Sequence, residues 1–64
     1  PVLAAEDGTL LNDNISAAGI SSEQLTDRLK NMNISIDDIY ILTVSPADNK
    51  SFDINTLIMK ENKK

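Results

Sequence analysis

The residues of this chain best suited to chemistry are its carboxylates. Asp37 and Asp38 stand side by side, and Asp53 follows within an apolar stretch. Such groups can hold a divalent cation or pass a proton, provided that two or more converge. Adjacent residues on a turn diverge instead, so the pair reads first as the solvated, capping end of one helical turn that begins at Ser35-Ile36. The stretch from Asp48 has the length of a calcium loop without its chemistry. It has no glycine at the sixth position, and Met59 stands where a bidentate glutamate belongs.

With no histidine and no cysteine among the 64 residues, the common nucleophile–base pairs and the usual zinc ligands are missing. Ser21 and Ser22 have no base to activate them, and both are explained as helix-capping residues. Gly8 and Gly19 stand in no phosphate-cradling pattern. Asn14, Asn33 and Asn49 each begin a glycosylation triplet, an expected accident in a chain rich in Asn and Ser. No catalytic, cofactor-binding or metal-ligating residue is assigned.

The elements around these residues are more legible. Val2 to Ala5 and Thr9 to Asn12 flank Glu6-Asp7-Gly8 and predict a two-residue hairpin, because both turn positions need positive φ. Asn12-Asp13-Asn14 then ends the second strand, and Ile15 to Gly19 is expected as an irregular connection anchored by Ile15. Ser21 caps a helix from about Ser22 to Met32, with Gln24 at the capping-box position and Ile20 placed to staple onto Leu25. Leu25, Leu29 and Met32 form its apolar stripe, Glu23, Arg28 and Lys30 suit the helix dipole, and Asn33 suits a left-handed C-terminal cap.

The run Ile39 to Val44 is apolar at nearly every position and predicts a central strand buried on both faces. Pro46 ends it, and Ser51 to Ile54 is expected to return as its antiparallel partner, with Thr56 to Met59 extending it or forming a short terminal segment. The fold class is therefore α+β, a small ββαββ-type domain: hairpin, helix, hairpin, with one helix on a mostly antiparallel sheet. Residues 1–59 form this single domain, and 60–64 form a basic tail expected to fray. Asn-x-Asn-Ile-Ser occurs at Asn12 to Ser16 and again at Asn31 to Ser35, too short a match for a repeat architecture.

A chain this size buries only about 60% of its unfolded surface, so a partner surface is a natural source of further stability. Residues 1–59 carry a net charge of −6 and the tail +2, for −4 in all. An acidic body disfavours nucleic acid, which demands clustered Lys and Arg. No signal peptide or bilayer-length apolar stretch is visible. A chain opening on Pro1 is expected to be a processed product or a piece of a larger protein.

The order Pro1-Val2-Leu3, Asp7-Gly8, Asn14-Ile15, the Leu25 and Leu29 helix, Asn33-Ile34 and Asp38-Ile39 resembles the soluble C-terminal region of the YetF/YcaP family of bacterial membrane proteins. That region reads P-x-x-L-I-x-D-G, then N-L, then L-x-x-x-L-R-x-x-G-I, then a Val-centred strand, and the likeness spans about residues 1–54. Lys30 replaces an arginine, Asn33 a glycine, and Ser45 stands where a glutamate often follows the strand. These departures resemble the second of the two related halves of that region.

The resemblance implies N-terminal transmembrane helices in the parent, with this domain on the cytoplasmic side of the inner membrane. It carries over no catalytic residue and no cofactor. The expected function is non-enzymatic: assembly or protein–protein contact, with self or the rest of the parent chain as partner. The membrane is met through a missing N-terminal region, and no small-molecule substrate is evident. The alternative is a free-standing acidic interaction module.

Overall fold

The structure is a computed structural model and describes residues 1–61. It is α+β, with a four-stranded, fully antiparallel sheet covered by helices on one face. Strands β1 (Val2–Glu6) and β2 (Thr9–Leu10) form the first hairpin, helices α1 (Asn12–Ala17) and α2 (Ser22–Asn31) follow, and β3 (Ile39–Pro46) and β4 (Phe52–Met59) close the chain. The spatial order is β2-β1-β3-β4.

The Asp7-Gly8 turn forms as its sequence demands, with φ of 51° and 81°. Its two N–H groups donate to the carbonyls of Tyr40 and Ile39, each at 2.8 Å, so the turn is tied to the start of β3. Beyond it β2 is only two residues long, shorter than the expected Thr9 to Asn12. Asn12-Asp13-Asn14 does not end a strand. It starts α1, with Asp13 favourably placed in the first turn.

The segment expected to be irregular is therefore helical, and Ile15 is its buried anchor as anticipated. Helix α1 ends in a Schellman motif: Gly19 (φ 77°) donates to the Ser16 carbonyl at 2.9 Å, and Ile20 donates to that of Ile15 at 3.1 Å. Ile15 and Ile20 meet in the core, the apolar contact that accompanies this motif.

Helix α2 starts where its capping signal lies. Ser21 Oγ accepts from the Gln24 N–H at 3.3 Å, and Ile20 and Leu25 are buried together. It ends in a second Schellman motif. Asn33 takes φ 60° and donates to the Lys30 carbonyl, and Ile34 donates to that of Leu29, both at 2.9 Å. Met32, assigned to the apolar stripe, is the C-cap and stands 42% exposed. Ser35 caps a 3-10 turn over Ile36–Asp38, with the Asp37 N–H 3.4 Å from its Oγ.

Strand β3 is central in the sheet but not buried on both faces. Ile39, Leu42 and Val44 face the helices and are buried, whereas Ile41, Thr43 and Ser45 lie half-buried on a face no helix covers. A bulge between Ile39 and Ile41 leaves Tyr40 51% exposed. A second bulge, on β1 between Leu3 and Ala5, turns both Ala4 and Ala5 into the core. Their small side chains let α1 sit close over β1, and Leu11 N–H donates to the Ala4 carbonyl at 2.9 Å.

Strand β4 starts one residue later than the expected Ser51, at Phe52, and runs on through Thr56 to Met59, with an irregularity opposite Thr43 and Val44. Lys60, placed by its sequence in the fraying tail, is held: its N–H donates to the Asp38 carbonyl at 2.8 Å and its Nζ lies 3.2 Å from Asp7. Residues 62–64 of that tail lie outside the described residues.

Two stability outcomes follow from this packing. Leu29→Ala is expected to cost about 2–5 kcal/mol in urea unfolding, the range for a buried leucine truncated in a tight core. Gly8→Ala should cost about 1–2 kcal/mol by the same measurement, since alanine resists positive φ. Its Cβ would also meet Lys60 Nζ at 3.2 Å and the Asp37 carbonyl oxygen at 3.4 Å.

Candidate interaction surface

The carboxylates that opened the chemical question are not brought together. Asp37 and Asp38 lie in the 3-10 turn before Ile39, and Asp53 pairs with Ser45 at the far end of β3. Six strand positions at ~3.3 Å each put roughly 20 Å between them. All three are exposed. Among the described residues no group of three or more acidic side chains could share a cation, and no polar or charged side chain is buried.

The structure instead offers contact surface. On the uncovered face of the sheet, cross-strand pairing sets Leu3, Thr43 and Thr56 in one row and Glu6, Ile41 and Ile58 in the next. Antiparallel partners point the same way, so these rows follow directly from the register. At the Pro46 end Ser45 Oγ donates to Asn55 Oδ1 at 2.6 Å. Ile58 is 47% exposed and Met59, beside it at the edge, 42%.

The two edges of the sheet differ. Strand β2 is two residues long, which leaves little backbone to pair. Strand β4 is eight residues long, contains no proline, and carries one charge, Asp53. Its outer side has no strand against it. Sequence patterning placed a strand at Ser51 to Ile54 but held no sign that it would be the edge, because order in a sheet is a non-local property.

A second surface lies at the end of α2. A groove of about 510 Å³ opens there, floored by Leu29, Ile34 and Ile36 and flanked by Thr26 and Lys30. It is the seam left where the Schellman motif folds the chain back against the helix. At the other end of the sheet, Arg28 lies 4.6 Å from the centre of the Phe52 ring. This stacking holds the last turn of α2 over the start of β4.

No family model, curated protein or solved structure matches the chain. Among the described residues no helix is long and apolar enough to cross a membrane.

The separation of the carboxylates sets a clear expectation. Millimolar Mg²⁺ or Ca²⁺ should leave the melting temperature unchanged in thermal unfolding. Native-state binding would raise it, and a rise would show that the folded domain holds a cation.

Proposed function

We propose that this domain is a non-enzymatic contact module on the cytoplasmic side of a bacterial inner-membrane protein, where it works in assembly with other protein surfaces. The observation that carries the contact role is the one-sided sheet. One face is sealed by α1 and α2, while the other exposes Ile58 and the partly covered Leu3 and Ile41 beside a long edge strand whose outer side carries no partner strand. A sheet edge of this kind is a template for pairing with another chain.

The membrane placement is supported by the resemblance to the YetF/YcaP soluble region. The residues that carry it have consistent structural work to do. Asp7-Gly8 makes the hairpin turn, Leu25 and Leu29 anchor the helix, and Asn33 takes the left-handed conformation at a position where that family has glycine. Lys30, in place of the family's arginine, keeps a positive charge in the last turn of α2. The runner-up is a free-standing acidic module, which the same open edge would equally serve.

The gene and the cell separate the two. The reading frame that encodes this chain should contain several hydrophobic spans upstream of Pro1. An antibody against the domain should then find it in the membrane fraction after a high-salt wash. A frame with no such spans, together with recovery in the soluble fraction, overturns the membrane placement in favour of the free-standing module.

A further inference from the structure

We propose that the uncovered face of the sheet receives a basic amphipathic helix of a partner protein. Its apolar stripe would sit on Leu3, Ile41 and Ile58, with lysines or arginines reaching Glu6 and Asp53. This rests on the reading of the domain as a contact module and names the chemistry of its partner. The face is a better contact than the edge beside it. Thr43 pairs with Thr56 and Val44 with Ile54, so Asn55 bulges out of the β4 ladder, and a bulge guards an edge against added strands.

Shape points to a helix. Leu3 on β1, Ile41 on β3 and Ile58 on β4 form an apolar triangle within two adjacent rows. Three strands about 4.8 Å apart span roughly 10 Å. That is the breadth of one helix with its side chains, about 10–12 Å. A single helix lying along β3 therefore covers the triangle, as α1 and α2 cover the opposite face.

Charge sets the kind of helix. Glu6 stands on β1 beside Ile41, and Asp53 stands diagonally across from it, on β4 beside Ser45. Four strand positions at ~3.3 Å separate them by about 13 Å along the sheet, the length of about nine helical residues. Both acids are exposed, and among the described residues neither makes an ion pair. Lys60 is engaged by Asp7 at 3.2 Å, while Arg28 and Lys30 belong to α2 on the covered side. A second copy would set these acids against the same acids, in a chain whose net charge is −4. Nucleic acid and anionic lipid are repelled in the same way. A helix with bases on both flanks of its apolar stripe meets both corners at once.

Fluorescence anisotropy with a labelled model helix tests this. A peptide of about eighteen residues, with one leucine stripe and lysines on both flanks, should bind with a Kd of about 10–100 μM at low salt. Glu6→Lys and Asp53→Lys should each weaken binding at least about fivefold. Ile58→Ser should weaken it at least about tenfold, through lost apolar contact. Asp27→Lys makes the same charge change on α2 and should weaken binding less than about twofold, since its charge is screened from the face. The same peptide with glutamates in place of lysines should not bind. Amide shifts in NMR spectra should cluster at Leu3, Glu6, Ile41, Thr56 and Ile58.

No binding at about 1 mM peptide overturns the proposal. So does binding that Asp27→Lys weakens as much as Glu6→Lys does, or a set of amide shifts centred on the groove at the end of α2. A dimer in sedimentation velocity that Ile58→Ser breaks would put a second copy on this face and overturn it equally. Pelleting of the chain with phosphatidylglycerol vesicles would do the same. Glu6, Asp53 and Ile58 lie outside the core, and far-UV spectra check that each variant folds. Should one fail to fold, the other two decide. Failure removes the cationic helix as partner, while the membrane placement of the contact module is read independently from the gene.

Discussion

Everything in this domain depends on burial against a single face of the sheet. Ile39, Leu42 and Val44 of β3 form the floor, and Ile15, Ile20, Leu25 and Leu29 descend on it from the two helices. With no disulfide available and a chain this short, that one apolar layer is the main source of folded-state free energy. The layer is thin because the molecule is small. Ala4 and Ala5 make it thinner still over β1, and the bulge that turns both inward is what lets α1 approach the sheet.

The helices are held to that layer by their ends. Both finish in a Schellman motif, and in each the apolar residue after the cap packs back toward the helix: Ile20 toward Ile15, and Ile34 toward Leu29. The first motif also sets up the start of α2, because Ile20 stands directly before the Ser21 cap. One isoleucine thereby ends one helix and staples the next. At the opposite end of the chain, Lys60 joins the finish of β4 to the Asp7 turn and to the Asp38 carbonyl, which closes the sheet across its first and last strands.

Much of this was readable locally. The hairpin turn, the cap at Ser21, the left-handed Asn33 and the short turn after Ser35 are decided by residues within a few positions of one another, and each formed as its chemistry requires. The misreadings share a cause. Ile39 to Val44 has the composition of a strand buried on both faces, but two helices can cover only one side of the sheet, so its alternate residues remain half-open. Helix α1 has too few turns to announce itself by periodicity, and it is stabilised by Ile15 in the core rather than by propensity. The interaction surface was less legible still, because it consists of what nothing covers.

The pentapeptide shared by Asn12 to Ser16 and Asn31 to Ser35 marks the boundary between the two kinds of information. In the first copy it starts a helix: Asn14 is helical, its side-chain amide donates to the Leu3 carbonyl at 3.0 Å, and Ile15 is buried. In the second it ends one, with Asn33 at φ 60° and Ile34 only partly covered. The sequence by itself determined the local turns and caps, because those depend on short-range sterics and hydrogen bonds. Only the tertiary structure decided which way these identical residues would go, which face of β3 would be sealed and which edge would stay open. Those outcomes turn on apolar surface contributed from distant parts of the chain.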